Sequence, residues 1–84
     1  MKQNVSAEVI DDIKKAISLN IKKHREENHW TQELFAEKLM MAGLADISIN
    51  TISCAENGHT IPGLVTLLFM SRVFEITVDE LVGC

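Results

Sequence analysis

The chain has 84 residues, a length that allows one hydrophobic core but not two. With 46% hydrophobic and 24% charged residues, it has the composition of a globular protein and not of a disordered chain. The formal net charge is −4, and residues 31–84 hold two basic residues against seven acidic ones, so composition alone does not favour nucleic acid.

Several classes of protein are excluded by what the sequence lacks. Hydrophobic runs are at most four residues long, so no membrane span is expected, and the charged first twenty residues lack the apolar centre of a secretion signal. Cys54 and Cys84 are too few for a disulfide framework, which favours a reduced, cytoplasmic protein. No catalytic pairing, phosphate loop or metal-ligand spacing is found, so we expect no enzyme, no cofactor and no metal.

The first predicted helix covers residues 7–27, with Ser6 as its N-cap. Its apolar residues recur every three or four positions: Val9, Ile10, Ile13, Ile17, Ile21. Lys14 and Lys15 lie mostly off this stripe, and we interpret them as a solvated helix face. Asn28 and His29 end the helix.

Two shorter helices follow, each with a clear start and stop. Thr31 is the predicted N-cap of the second helix, Trp30 and Phe35 form a hydrophobic staple around it, and Gly43 is its stop. Ser48 caps the third helix, which ends at residues 57–58. Part of the long segment between them is expected to extend the second helix to residue 42, leaving a loop.

The fourth predicted helix, residues 64–74, is unusually apolar and follows a turn at residues 60–63. Its predicted inward residues are Leu64, Leu67, Leu68, Met70, Ser71 and Phe74. A second stripe faces outward at Val65, Phe69 and Val73, which indicates a partner surface. Thr77 and Glu80 form a capping box that opens a fifth helix through about residue 82.

In this order, the segments resemble the Cro/repressor-like helix-turn-helix family over residues 21–83. The resemblance is carried by residues 21–25, 30–39, 47–58, 62–68 and 78–81. It implies an all-α, compact five-helix fold of the lambda-repressor type, in one domain covering residues 1–84. Residues 1–20 then extend the first helix ahead of the family-like core at residues 21–83, and the turn after the second helix is lengthened.

The resemblance also implies which residues bind double-stranded DNA. The third helix would lie in the major groove, where Asn50 pairs with adenine and Ile49 contacts a thymine methyl. Glu56 would be structural. The implied contacts with bases and phosphates are Gln32, Ser48, Ile49, Asn50, Thr51, Ser53, Cys54 and Asn57. Lys22, Lys23 and Arg25 would lie near the DNA backbone.

Two functions follow from these patterns. The first is a transcriptional regulator that binds a palindromic operator as a homodimer, with an interface at Val65, Phe69, Val73 and Leu81. The alternative is a repressor-fold protein that binds a protein partner, as an antirepressor or antitoxin does. The absence of Lys and Arg from residues 47–58 favours the alternative, while Gln32, Asn50 and Asn57 favour DNA. Cys54 is interpreted as a small filler, with a redox switch as the alternative.

Overall fold

The computed structural model describes residues 7–83, and Ser6 and Cys84 lie outside them. Five helices form in this part of the chain: α1 (Ala7–Glu27), α2 (Gln32–Ala42), α3 (Ile49–Glu56), α4 (Leu64–Phe74) and α5 (Val78–Val82). The predicted all-α, five-helix fold is therefore confirmed. None of these helices is long and apolar enough to cross a membrane.

Three helices begin at the side-chain caps that the sequence predicts. Thr31, Ser48 and Thr77 each accept a hydrogen bond from the backbone N–H three residues later, at 3.0, 3.2 and 3.1 Å. Glu80 completes the predicted capping box by accepting from the Thr77 N–H at 3.4 Å. Each cap satisfies an N–H group that the first helical turn leaves unpaired.

The first four helices all end in the same way. In each, the residue after a positive-φ position donates its N–H to the carbonyl five residues earlier, at 2.9 to 3.1 Å. The positive-φ residues are His29, Gly43, Gly58 and Glu75, with φ of 61°, 120°, 75° and 59°. This Schellman arrangement satisfies carbonyls at the helix end. Two of these positions carry a side chain where glycine would be the least strained residue.

The core forms where all five helices meet. Ile21, Phe35, Leu39, Ile52, Met70 and Leu81 are completely buried, one or two from each helix. The ring of Phe74 stacks on Phe35 at 4.7 Å and on Trp30 at 5.8 Å. Trp30 also stacks on Phe35 at 6.1 Å, as the predicted hydrophobic staple requires.

The apolar stripe of α1 is only half covered. Ile17 and Ile21 are buried, but Ile10 and Ile13, on the same side of the helix, are 39% and 46% exposed. A helix of this length extends about 31 Å, whereas the molecule measures only about 20 Å across its two short dimensions. The N-terminal half of α1 therefore reaches past the core that its C-terminal half covers.

The long connection between α2 and α3 is divided as the sequence predicts. α2 continues to Ala42, and Gly43 then turns the chain. Leu44 packs against the core and Ile47 is buried, so apolar side chains hold the loop at both ends. A side chain at Gly43 would put its Cβ 3.4 Å from the Phe69 ring, which shows how closely the loop approaches α4.

The buried face of α4 agrees with the prediction in part, since Leu67, Met70, Ser71 and Phe74 are buried as expected. Leu64 and Leu68, predicted to face inward, are 67% and 40% exposed, whereas Phe69 and Val73 are partly buried against the core. Of the predicted dimer residues, only Val65 is largely exposed, at 61%.

The position of Leu81 corrects a second part of the predicted interface. This side chain is completely buried in the core beside α1 and α4. A residue without exposed surface contributes nothing directly to a contact between two copies of this fold.

Replacing Glu75 with Gly should raise the free energy of unfolding by about 1 kcal/mol, because glycine adopts a positive φ without strain. In a domain of this size, the midpoint of thermal unfolding should rise by about 4–8 °C. Glu75→Ala is the matched control, since it removes the carboxylate but keeps Cβ, and it should leave the midpoint nearly unchanged. Equal midpoints for the two variants would contradict the strain at this position.

Candidate nucleic-acid interface

The start of α3 projects into solvent. Ser48, Ile49, Asn50 and Thr51 are all exposed, whereas Ile52 on the opposite side is completely buried. The Ser48 hydroxyl is 3.0 Å from that of Thr51 and also caps the helix. Ile52 thus seats α3 on the core, and four of the residues predicted to contact DNA form one continuous exposed turn.

The later part of α3 offers less exposed surface. Ser53 and Cys54 are half-buried, and Asn57 is exposed at the C-terminal end. The Asn57 side chain donates to Ser53 Oγ at 3.3 Å. Its backbone N–H donates to the Ser53 carbonyl at 3.0 Å, so only the Asn57 side chain is left to meet a phosphate.

Arg25 is held inside the protein and does not face a nucleic-acid surface. Its Nε and Nη2 atoms donate to the two carboxylate oxygens of Glu56 at 2.6 and 2.9 Å, and Nη1 donates to the Trp30 carbonyl at 2.7 Å. The hydrogen bond with Glu56 raises the pKa of Arg25 despite partial burial. Three of the five N–H groups of Arg25 are thus engaged within the fold, which weighs against the expectation that Arg25 serves mainly as a contact to the DNA backbone.

Glu56 also holds Gln32. The Gln32 amide donates to Glu56 Oε1 at 3.1 Å, from the first residue of α2. The Glu56 side chain is only 2% exposed. One buried carboxylate thus links α1, α2 and α3, in agreement with the structural role that the sequence analysis gives Glu56. The sequence analysis did not identify Arg25 as the partner of Glu56, because the two residues are 31 positions apart in the sequence.

Lys22 and Lys23 are both exposed but point in different directions. Successive residues of a helix are about 100° apart. Lys22 lies between Ser18 and Arg25 on the side of α1 that packs against the end of α3, because a Cβ on Gly58 would be 3.7 Å from Ser18 Oγ. Lys23 lies on a side of α1 that does not face α3, which weighs against the expectation that Lys23 lies near the DNA backbone.

A groove of about 440 Å³ lies between α2 and the start of α3. Met40, Ile47 and Ile49 give it apolar walls, while Glu33 and Glu37 supply two carboxylates. These acids lie one helical turn apart on α2 and make this side of the surface negative. A phosphate would be repelled beside these two acids, and a positively charged group would be attracted. Ser48 also lines the groove, but on its α3 side and not on the α2 side that carries the acids.

Arg25→Met and Glu56→Met should each lower the free energy of unfolding by about 3 kcal/mol, because each leaves a charged side chain without its buried partner. The double variant should lose less than the sum of the two, since no unpaired charge remains. Urea denaturation of all four proteins measures this coupling. Strictly additive losses would contradict the linking role of Glu56.

Comparison with known proteins agrees with this geometry. A helix-turn-helix family model matches residues 21–81, which include the C-terminal end of α1 and all of α2, α3 and α4. Searches of curated proteins and of solved structures gave no significant match. The matched family is one of DNA-binding regulators and is not typically enzymatic. The chain belongs to the Cro/repressor-like helix-turn-helix family.

Proposed function

We propose that this protein is a sequence-specific transcriptional regulator that places α3 in the major groove of an operator. The observation that carries the proposal is the exposed first turn of α3, residues 48–51, held in place by the buried Glu56 network. A helix seated in this way presents its N-terminal side chains to base edges. Family membership supports DNA as the partner.

The polar and apolar groups of this turn suit different bases. The Asn50 side chain offers an amide that pairs with the N6 and N7 atoms of adenine. Ile49, 45% exposed, suits the methyl group of thymine. Ser53 and Cys54 lie along the same helix and would approach the groove less closely, because both are half-buried.

Phosphate contacts cannot come from basic side chains of α3, because this helix has none. Residues 47–58 contain no Lys or Arg, and Arg25 is bound to Glu56. We assign phosphate contacts to Ser48, Thr51, the backbone N–H groups at the start of α2, and Lys22. Helix N-termini attract phosphate through their free N–H groups and the helix dipole. Gln32 begins α2, and its amide would contribute beside Glu56.

The dimer interface is assigned to the exposed stripe of α4. Leu64 and Val65 are adjacent, Leu68 follows them by about one turn, and the three are 67%, 61% and 40% exposed; Ile61, in the turn before α4, is 42% exposed. Apolar side chains grouped on one face usually mark a contact surface. A two-fold dimer would present two copies of α3 to half-sites about one DNA turn apart.

Asn50→Ala should weaken binding to the operator by about 5- to 150-fold per half-site, because a bidentate contact with adenine is worth about 1–3 kcal/mol. Fluorescence anisotropy with labelled duplexes measures the effect. Binding to a scrambled duplex should not change, since it depends on phosphates and not on base edges. Equal losses on the operator and the scrambled duplex would contradict base reading by Asn50.

Val65→Glu should convert the dimer to a monomer in sedimentation velocity, because a charge buried in the interface is strongly unfavourable. Leu19→Glu is the matched control, since Leu19 of α1 is 60% exposed and Val65 is 61% exposed. This control should stay dimeric. If the Val65→Glu variant stays dimeric, or if Leu19→Glu dissociates the dimer, the interface does not lie on α4.

A second function is favoured by the groove between α2 and α3. Glu33 and Glu37 beside Met40 and Ile49 would suit a basic, amphipathic segment of another protein, and residues 31–84 are acidic. Retention on duplex DNA at low salt separates the two functions. A DNA-binding protein is retained and is released steeply as salt rises, whereas the alternative predicts no retention.

A further inference from the structure

A cleft of about 310 Å³ separates the N-terminal half of α1 from the end of α3. It lies ahead of the family match on the α1 side, since that match begins at residue 21. On the α1 side it is lined by two lysines, one acid and one serine, and on the other side by the turn that follows α3: Lys14, Lys15, Asp11 and Ser18, then Asn57 and Gly58.

The position of the two lysines is fixed by a close contact between α1 and the turn. Ser18 is 5% exposed, and its hydroxyl donates to the Lys15 carbonyl at 2.9 Å. Gly58 lies so close to this hydroxyl that a Cβ there would be 3.7 Å from it. Lys14 and Lys15 precede Ser18 by four and three residues, so all three share one side of α1. Both lysines therefore line the same cleft as Asn57.

We propose that Lys14, Lys15 and the Asn57 side chain form a binding site for a phosphodiester group of the DNA backbone. This inference rests on the proposed function, in which α3 lies in the major groove. The end of a helix lying in the groove meets the phosphates at its edge, and Asn57 is exposed at that end. Two ammonium groups and an amide are suitable donors for a phosphate.

The charge distribution explains why this chain needs such a site. α3 has no basic residue, and the donors of Arg25 are bound to Glu56 and to the Trp30 carbonyl. The N-terminal extension of α1 adds two cations to the one that Lys22 supplies on this side of the helix. Asp11 in the same cleft offsets part of their charge.

Salt-dependent binding of the full chain to a random 20-base-pair duplex tests the site. Wild type should bind at low salt, and Lys14→Gln/Lys15→Gln should make the plot of log affinity against log salt concentration less steep, by about 0.9 for each lost phosphate contact. Lys23→Gln is the matched control, because it removes an exposed lysine on another side of α1. It should keep the wild-type slope.

The outcomes separate this inference from the proposed function. If wild type does not bind the duplex at low salt, both fail. If wild type binds and the double variant has the same salt dependence, the phosphate site alone is overturned. The same holds if Lys23→Gln changes the slope of log affinity against log salt as much per lysine as the double variant does. Circular dichroism of each variant establishes that it is folded.

A second variant tests the phosphate site even if the double lysine variant does not fold, because it is expected to increase the affinity for DNA. Asp11→Asn should bind the same duplex severalfold more tightly at low salt, because it removes the one negative charge lining the cleft. Asp12→Asn removes an equal charge from a neighbouring position about 100° away around α1, and its gain should be smaller. Equal affinities for these two variants would overturn the site.

Discussion

The buried carboxylate of Glu56 is the interaction on which the arrangement of the first three helices depends. It accepts two hydrogen bonds from Arg25 of α1 and one from Gln32 of α2, while belonging to the last turn of α3. Hydrogen bonds to charged groups are stronger than neutral ones, and the fork of an arginine restricts their direction. The relative placement of α2 and α3 is therefore fixed by chemistry and does not rely on a short turn between them.

This arrangement has a consequence for electrostatics. Arg25 is paired with Glu56, α3 carries no cation, and the whole chain has a net charge of −4. Attraction to DNA therefore depends on the lysines of α1 and on helix N-termini, whereas the groove near Glu33 and Glu37 repels phosphate. We therefore expect the phosphate contacts to lie mainly on the side of α3 that faces α1, away from the acidic groove.

Local signals in the sequence were sufficient for the helices and their ends. The caps at Thr31, Ser48 and Thr77, and the stop at Gly43, act within a few residues of themselves, so they can be identified without knowledge of the fold. They also account for the division of the long segment between α2 and α3.

Contacts between distant segments were not available from these signals. Phe69 of α4 lies against the loop at Gly43, and a helix that is apolar on most sides does not indicate which side is buried. The same holds for Arg25, and for Lys14 and Lys15 beside Asn57. The predicted base-contacting residues were easier to place, because they follow directly from where α3 begins.

The central claim is that α3 reads the DNA sequence. The most direct test is to select, from a random DNA library, the duplexes that the 84-residue chain binds. The account predicts enrichment of a palindrome whose half-sites lie about one helical turn, or roughly 10 base pairs, apart. An adenine should be fixed in each half-site by Asn50. A library that shows no enriched sequence after selection at low salt would contradict α3 as a sequence-reading helix.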